Sequence, residues 1–238
     1  MSLFSTVYEA HLTIGGHAIT WREIVGNAFG LASAVGGMRR RVWAWPVGIV
    51  GNLLLFTVFL GTAIDSSTGQ QPLLGQAGRQ VFFIATSVYG WWRWRENRRG
   101  RPDAVAVSPR WASPAERLGL LVLSAVAVGV CFYVFRAIGA GFPAAWWYYL
   151  ADAWIFVGSM VATYAMARGW VDFWLCWLAV DLVGVPELLH FHYYPSALLY
   201  AVYGAFVVWG FVAWRRIART EGLVDRIDSS QGTVEALG

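Results

Sequence analysis

Apolar residues along this chain gather in seven long stretches, separated by shorter segments that are rich in arginine, proline or glycine. Each stretch is about 20 residues long, which is the length that an α-helix needs to cross a hydrocarbon layer about 30 Å thick. The pattern therefore predicts seven transmembrane helices, at residues 21–38, 43–62, 77–94, 116–137, 146–168, 170–190 and 195–214.

The amino-acid composition supports the prediction of transmembrane helices. Apolar residues make up 58% of the 238 residues and charged residues only 13%, whereas about a quarter of a soluble domain is charged. The chain is accordingly predicted to be an all-α integral membrane protein with the lipid bilayer as its surroundings. Its net charge of +4 reflects where the arginines lie in the membrane topology, so we predict no nucleic-acid partner.

The arginines divide unequally between the two sides of the predicted membrane. Fifteen of the 18 fall in loops on one side and three on the other. Because basic residues collect on the cytoplasmic side, this predicts an N-terminus outside a bacterial plasma membrane and a C-terminus in the cytoplasm. The three on the outer side are Arg22, Arg79 and Arg136; the others are Arg39, Arg40, Arg41, Arg93, Arg95, Arg98, Arg99, Arg101, Arg110, Arg117, Arg168, Arg215, Arg216, Arg219 and Arg226.

An internal repeat relates the two halves of the chain. One offset aligns Trp45 with Trp174, Asn52 with Asp181, Arg39 with Arg168 and Gly30 with Ser159, and a second aligns Tyr89-Gly90 with Tyr203-Gly204. Two three-helix units in the same orientation require one linker helix, so the repeat predicts a 3+1+3 parallel arrangement, as in transporters whose substrate site lies between repeats. The predicted segments are an extracellular 1–20, repeats at 21–94 and 146–214, a loop and linker at 95–145, and a cytoplasmic tail at 215–238, predicted to be disordered after Arg219.

One polar cluster within the sixth span has the character of a ligand site. Trp174, Trp177 and Asp181 are spaced i, i+3 and i+7, which places them on one face of a helix. If the helix enters the bilayer near Trp170, Asp181 lies about 16 Å along it, close to the midplane. A carboxylate there costs roughly 2.5–3.5 kcal/mol and usually faces a partner or a wet cavity. Aromatic faces next to such an acid suit a planar ligand that carries hydrogen-bond donors.

The repeat extends this candidate site to the first half of the chain. Trp45 and Asn52 occupy the equivalent positions, and Gly48 replaces the second tryptophan, which predicts a more open half-site. Gln80 and Tyr203 are further candidate lining residues. The predicted substrate-binding set is Trp45, Asn52, Gln80, Trp174, Trp177, Asp181 and Tyr203.

Three of these candidates have a stated structural alternative. Trp174 could belong to the tryptophan belt at the membrane interface, Asp181 could hydrogen-bond a neighbouring helix, and Gln80 could lie at the surface. The belt is predicted to contain Trp43, Trp91, Trp92, Trp94, Trp146, Trp147 and Trp170.

Enzyme signatures are missing from the sequence. It contains no Gly-x-Ser-x-Gly elbow, no His-Glu-x-x-His and no Walker A motif, so we predict neither catalysis nor ATP hydrolysis by the chain itself. His190 and His192 do not share a helix face, which disfavours a metal site. We predict no cofactor and no metal.

The chain resembles the PnuC family of vitamin transporters over nearly its whole length. Its sequence motifs are more similar to those of the family's actinobacterial riboflavin carriers than to those of its nicotinamide riboside carriers. The motifs are Asp152-Ala153-Trp154-Ile155-Phe156-Val157-Gly158-Ser159, Ala167-Arg168, Phe173-Trp174-x-x-Trp177-x-x-x-Asp181-x-x-Gly184-Val185-Pro186, Gln80 and Tyr89-Gly90-Trp91-x-x-Trp94.

The resemblance implies seven spans in a 3+1+3 arrangement and facilitated diffusion of a small vitamin, made one-way by phosphorylation in the cytosol. It also implies that Trp174, Trp177 and Asp181 line the substrate site. Riboflavin is the leading substrate; nicotinamide riboside or thiamine on the same fold is the alternative. A substrate-binding subunit of an ATP-driven importer is a further one, and the sequence is compatible with a monomer or a homo-oligomer.

Overall fold

The computed structural model describes residues 11–14, 17–60, 74–99, 106–139, 145–190 and 194–235. Within these ranges the chain forms seven α-helices and one short hairpin. The hairpin pairs β1 (His11–Ile14) with β2 (His17–Thr20) in antiparallel register. The helices are α1 (Trp21–Met38), α2 (Ala44–Leu60), α3 (Leu74–Asn97), α4 (Pro114–Ile138), α5 (Trp146–Ala167), α6 (Asp172–His190) and α7 (Tyr194–Glu235).

The helix boundaries follow the hydrophobic pattern. Thirteen of the fourteen helix ends lie within three residues of their predicted positions. The exception is the end of α7, which continues to Glu235 where the sequence predicted a disordered tail after Arg219. The reason is that residues 215–235 contain no proline and many good helix formers, so a helix that leaves the apolar layer can continue in water.

The apolar character of the helices fits a membrane. α4 and α5 are each long and apolar enough to span one, and α2 has an apolar stretch of slightly shorter length. None of the residues of α4 is buried, although its side chains are mostly apolar. Six leucine and valine side chains on α4 are 57–68% exposed, which suits a helix surrounded by lipid: Leu118, Leu121, Val122, Leu123, Val126 and Val130.

The chain divides into two compact units, one ending at Ala106 and the other beginning at Val107. In the first unit α1 packs on α2 and α2 on α3; in the second α4 packs on α5, α5 on α6 and α6 on α7. The linker helix α4 therefore groups with the second three helices, whereas the sequence analysis had set residues 95–145 apart.

The turn between α1 and α2 has the same backbone geometry as the turn between α5 and α6. Five backbone hydrogen bonds recur at corresponding positions, all 2.9 to 3.3 Å long. The left-handed residue also recurs, as Arg40 (φ 56°) in the first turn and Gly169 (φ 74°) in the second. The paired donors and acceptors are Arg39–Val35 and Arg168–Tyr164, Arg40–Gly37 and Gly169–Met166, Arg41–Gly36 and Trp170–Ala165, Ala44–Arg41 and Phe173–Trp170, and Trp45–Val42 and Trp174–Val171.

A contact between a glycine and a larger residue joins α1 to α2 and also α5 to α6. The glycine lies on the second helix of the first pair and on the first helix of the second pair. In the first unit Gly51 leaves room for Phe29, since an added Cβ would lie 3.1 Å from the phenylalanine Cβ. At the corresponding positions of the second unit the glycine is Gly158 and the larger residue is Val180, 2.7 Å from an added Cβ. Gly51 and Val180 immediately precede Asn52 and Asp181, so each of these polar residues follows the same helix contact in its own unit.

The last helices of the two units, α3 and α7, correspond differently from the prediction. Trp45 lies against Gly90 of α3 and meets Trp94 edge-on at 5.2 Å. Trp174 lies against Gly210 of α7 and meets Trp214 edge-on at 6.2 Å. Gly90 therefore corresponds in packing to Gly210, and the predicted alignment of Tyr89-Gly90 with Tyr203-Gly204 is wrong, because the equivalence is set by the tryptophan that each glycine receives.

Candidate functional site

Helix α6 carries the three residues on which the predicted site centres. Trp174 and Asp181 both face α7, as their spacing requires: Trp174 lies against Gly210, and a Cβ added to Gly204 would lie 3.5 Å from Asp181 Oδ2. The common face predicted for these two residues is therefore present. Asp181 lies about one helical turn further along α6 than Trp177 does, counted from the α5–α6 turn.

Trp174 is a buried packing residue. Only 3% of it is exposed, and its ring is surrounded by aromatic neighbours as well as by Gly210. This burial places it in the interior of the second unit, so it does not belong to a surface belt. The neighbouring rings are Phe173 at 4.3 Å, Phe206 at 6.0 Å and Trp214 at 6.2 Å.

Asp181 has a carboxylate oxygen without a hydrogen-bond partner among the described residues. The residue is half-buried, its Oδ2 is enclosed, and this oxygen accepts no hydrogen bond from any residue that the structure describes. A buried polar atom without a partner costs about 1–3 kcal/mol, and more when it is charged. A ligand that brings a hydrogen-bond donor to this oxygen would remove that cost.

The other predicted residues of the second unit lie near this acid along the chain. Trp177 is half-buried and one helical turn from Asp181. Tyr203 is also half-buried and adjoins Gly204, the residue that faces Asp181. Trp154 ties α5 to α6 beside them, since its Nε1 donates to the carbonyl of Ala179 at 2.9 Å.

In the first unit Trp45 has the same environment as Trp174. It is 3% exposed, and its Nε1 is enclosed without a hydrogen-bond partner among the described residues, as is that of Trp174. The predicted open half-site at Gly48 is wrong, because the hydroxyl of Ser33 fills the space: an added Cβ would lie 2.7 Å from Ser33 Oγ. That hydroxyl also donates to the carbonyl of Ala44 at 2.7 Å.

The polar candidates of the first unit differ in burial. Asn52 on α2 is half-buried. Gln80 on α3 is only 5% exposed, so it is not a surface residue, and its Oε1 finds no donor among the described residues. Gln80 and Asp181 thus each hold an enclosed acceptor that a ligand could use.

An ion-pair network that the sequence analysis missed fixes the beginning of α6. Asp172, the first residue of the helix, accepts hydrogen bonds from the Ala112 backbone N–H at 2.8 Å and from Arg117 Nε at 2.7 Å. The segment before α4 also pairs with the α5–α6 turn, since Arg110 N donates to the Gly169 carbonyl at 3.0 Å. The signal that could have revealed part of this network is the capping box Ser113-x-x-Glu116.

The same network gathers arginines that the topology assigned to one side. Arg110 donates twice to Glu116, at 2.7 and 2.8 Å, and Arg168 Nη2 lies 3.5 Å from it. The hydrogen bond to Glu116 raises the pKa of Arg110 above its ordinary value. Both guanidinium groups also lie over the ring of Trp170, at 5.5 and 5.3 Å.

Two members of the predicted interfacial belt are buried instead. Trp94 is 0% exposed and Trp170 is 3% exposed, because the first packs on Trp45 and the second lies beneath the arginines. The belt prediction is therefore wrong for these two residues. Trp43, Trp91, Trp92, Trp146 and Trp147 are exposed.

Comparison with known proteins adds a family to this geometry. Residues 20–216 match the family model described as nicotinamide mononucleotide transporter. The chain is 39% identical over 206 residues to the riboflavin/roseoflavin transporter RibM of Streptomyces davaonensis, which covers 87% of this chain and 89% of that one. It is 24% identical over 239 residues to the nicotinamide riboside transporter PnuC of Escherichia coli, covering 89% of this chain and 93% of that one.

The fold has a solved counterpart. The crystal structure of the vitamin B3 transporter PnuC matches with a TM-score of 0.62 at 18% identity, covering 84% of this chain and 83% of that chain. At this identity the likeness concerns the fold alone.

Proposed function

The chain belongs to the nicotinamide mononucleotide transporter family, also called the PnuC family, and from that premise we propose that it carries riboflavin into the cell by facilitated diffusion. The observation that carries the choice of vitamin is the 39% identity to a riboflavin/roseoflavin transporter over most of both chains. The nicotinamide riboside transporters are 24% identical over a similar share. The family places the protein in the bacterial plasma membrane as a multi-pass protein.

We propose that Trp177, Asp181 and Tyr203 contact the vitamin in the second unit. The isoalloxazine ring of riboflavin is planar and suits an indole face. Its imide N–H and ribityl hydroxyls are donors of the kind that the enclosed Oδ2 of Asp181 lacks. The half-burial of Trp177 and Asp181 supports this assignment, because a residue that contacts substrate must be reachable.

In the first unit we propose that Asn52 and Gln80 supply further polar contacts. The enclosed, unpartnered Oε1 of Gln80 supports this role, as does the position of Asn52 after the same helix contact that precedes Asp181. Trp45 and Trp174 are buried against glycine, so in this proposal they support the site and their indole N–H groups are the parts that a substrate could reach.

The arrangement that we propose is 3+1+3, with repeats at 21–94 and 146–214 and a linker at 95–145. The two turns with matching hydrogen bonds and the matching glycine contacts support it. We also propose an outside N-terminus and a cytoplasmic C-terminus. The unequal division of arginines supports this orientation. Arg110, Arg117 and Arg168, from two loops that are both assigned to the cytoplasm, lie in one network, which supports placing these two loops on the same side.

Import is proposed to become one-way because a cytosolic kinase phosphorylates the vitamin, whose charged product then has no route back. The carrier itself needs no ATP in this scheme. The curated relatives are named as transporters, which supports transport over catalysis and over a subunit that depends on a separate ATPase.

Nicotinamide riboside is the second candidate substrate, favoured by the relatives that are named as nicotinamide riboside transporters. A binding screen separates the two: purified protein is titrated with riboflavin, nicotinamide riboside and thiamine under the same conditions. We expect riboflavin to bind at least tenfold more tightly than either other vitamin. Tighter binding of nicotinamide riboside would contradict the proposal.

A further inference from the structure

Three contacts from α5 hold the part of α6 that carries Asp181. One is a hydrogen bond and two are close apolar contacts, and on α6 all three fall within residues 179–184. Because they lie on both sides of Asp181 along the chain, they fix the position of this turn. The contacts are Trp154 Nε1 to the Ala179 carbonyl at 2.9 Å, Val180 Cγ2 at 2.7 Å from a Cβ added to Gly158, and Ile155 Cδ1 at 3.6 Å from one added to Gly184.

The two apolar contacts lie along one stripe of α6, and the hydrogen bond lies beside that stripe. Val180 and Gly184 are four residues apart, so they share the face of α6 that packs on α5. Ala179 is displaced from Val180 by about 100° around the helix in one direction, and Asp181 by about 100° in the other. Apolar contacts are not directional, whereas a hydrogen bond weakens steeply when it is bent. The hydrogen bond is therefore the contact that best resists a roll of α6 about its own axis.

A small roll of α6 would displace the carboxylate of Asp181, because this group lies far from the helix axis. A helix with its side chains is about 10–12 Å across, which puts the carboxylate roughly 5–6 Å from the axis. A roll of about 10° then moves its oxygens by about 1 Å, whereas hydrogen-bond lengths span only about 0.5 Å. The orientation of α6 thus decides whether the enclosed Oδ2 can meet a donor on a ligand.

A proline makes an outside restraint on this turn more important. Pro186 lies inside α6 and has no N–H to donate to the carbonyl four residues before it, which is that of Leu182. The backbone of α6 is therefore weakened directly after Asp181. The hydrogen bond from Trp154 restrains the same turn directly before it.

The first unit has two apolar contacts at the equivalent positions but cannot form the hydrogen bond. At the offset that aligns Asn52 with Asp181, the residue in the place of Trp154 is Val25, whose side chain has no donor. The hydrogen bond therefore distinguishes the unit that carries the acid. The equivalent apolar contacts are Leu55 Cγ at 2.9 Å from a Cβ added to Gly26, and Phe29 Cβ at 3.1 Å from one added to Gly51.

We propose that Trp154 is a positioning residue for vitamin binding. Its hydrogen bond to the Ala179 carbonyl sets the orientation of α6 in which Asp181 meets the vitamin, so Trp154 acts through the acid and does not touch the vitamin itself. Its ring is 42% exposed, which suits an indole with an apolar body in lipid and its N–H on a neighbouring helix. This inference rests on the proposed function, in which Asp181 accepts a hydrogen bond from the vitamin.

The test is a double-mutant cycle, measured by isothermal titration calorimetry of the full purified chain with riboflavin, or with nicotinamide riboside if the binding screen favours it. Trp154→Phe keeps an aromatic ring and removes the N–H. We expect it to weaken binding about threefold, which is typical of one hydrogen bond between membrane helices. In the Asp181→Ala background the same substitution should have no effect, because no carboxylate remains to be positioned.

A matched control and a second variant accompany the cycle. Trp209→Phe also removes an indole N–H, from a ring that is 61% exposed on α7, and should bind the vitamin as tightly as the wild type. If Trp154→Phe does not fold, 3-benzothienylalanine at position 154 replaces the N–H with sulfur in a ring of the same size. This variant should also weaken binding about threefold.

The outcomes separate the positioning role from the proposed function. Wild-type affinity in a folded variant at position 154 would overturn the positioning role. The same loss with and without Asp181 would also overturn it, because the effect would then be a general one on structure. Wild-type affinity of Asp181→Ala alone would instead refute the proposed contact between the acid and the vitamin, and the positioning role with it.

Discussion

At the residue scale, the proposed specificity depends on Asp181 because its enclosed oxygen is poorly satisfied in the second unit. The structure gives Oδ2 no donor among the described residues, and the residue that faces it on α7 is Gly204, which has no side chain to offer one. Deep in a membrane such a group persists only where something offsets its cost. A vitamin that donates a hydrogen bond is the partner that we propose.

Replacing Trp177 with alanine should weaken riboflavin binding at least tenfold. Stacking on an aromatic ring contributes roughly 0.5–1.5 kcal/mol beyond burial, and the buried area is lost as well. Quenching of flavin fluorescence in detergent gives the dissociation constant. Trp209→Ala is the matched control, because Trp209 is 61% exposed on α7. This variant should bind riboflavin as tightly as the wild type. Equal affinity of the wild type and Trp177→Ala would remove Trp177 from the site.

Substitutions at Asp181 should separate charge from hydrogen bonding. A hydrogen bond to a charged group contributes about 1.5–3 kcal/mol and a neutral one about 0.5–1.5 kcal/mol. We therefore expect Asp181→Asn to bind riboflavin about fivefold more weakly and Asp181→Ala more than tenfold more weakly. The same fluorescence titration measures both. If both variants bind like the wild type, the oxygen does not contact the vitamin.

The sequence predicted some of these residues better than others. Periodicity sufficed to place Trp174 and Asp181 on one face, because both lie on one continuous helix. It did not reveal that Trp174 and Trp45 are buried, since that depends on glycines of other helices, Gly210 and Gly90. The burial of Trp94 was missed for the same reason. The prediction of an interfacial tryptophan belt uses only the position of a residue along its own helix, whereas Trp94 is buried by Trp45 of another helix.

At the element scale, a tryptophan that lies against a glycine joins the second and third helices in each three-helix group. An added Cβ at Gly90 would lie 2.5 to 2.6 Å from the ring of Trp45, which is closer than real contacts allow. The corresponding pair in the second unit is Gly210 with Trp174. Small residues let membrane helices approach closely, and here each glycine admits an indole.

Gly210→Ala should lower the thermal stability of the protein, because overpacking typically costs about 1–3 kcal/mol. Gly222→Ala is the control on the same helix, since nothing lies within 4 Å of an added Cβ there, and it should be neutral or slightly stabilising. The double variant Trp174→Phe/Gly210→Ala should recover part of the loss, because the smaller ring makes room. Scanning fluorimetry in detergent compares the midpoints. Identical midpoints for Gly210→Ala and Gly222→Ala would show that this contact does not matter.

The elements themselves were largely predictable, because apolar stretches bounded by arginine and proline define helix ends in a membrane protein. The end of α7 was not, since the hydrophobic pattern marks where a helix leaves the bilayer and not where its hydrogen bonding stops. The register of the third helices was also missed. Tyr-Gly recurs in both, but the packing partner of Trp45 and Trp174, and not the dipeptide, sets the equivalence.

At the scale of the whole molecule, the proposed orientation can be tested by labelling. The background for this test is the variant Cys131→Ala/Cys176→Ala. In it, Ala137→Cys and Thr220→Cys each place one thiol at an exposed position, and the two positions lie on opposite sides of the membrane in the predicted topology. A membrane-impermeant maleimide added to intact cells should label Ala137→Cys. Thr220→Cys should react only after the cells are permeabilised. The reverse pattern would invert the topology.

Riboflavin carriage by facilitated diffusion is the central claim, and uptake into proteoliposomes that contain only this purified chain tests it most directly. Internal riboflavin should rise faster than in protein-free liposomes and level off near the external concentration, since no energy source is present. Enclosing a riboflavin kinase and ATP should then drive accumulation above that level, and excess unlabelled riboflavin should block uptake while nicotinamide riboside does not. Uptake no faster than in protein-free liposomes, or faster uptake of nicotinamide riboside than of riboflavin, would contradict the claim.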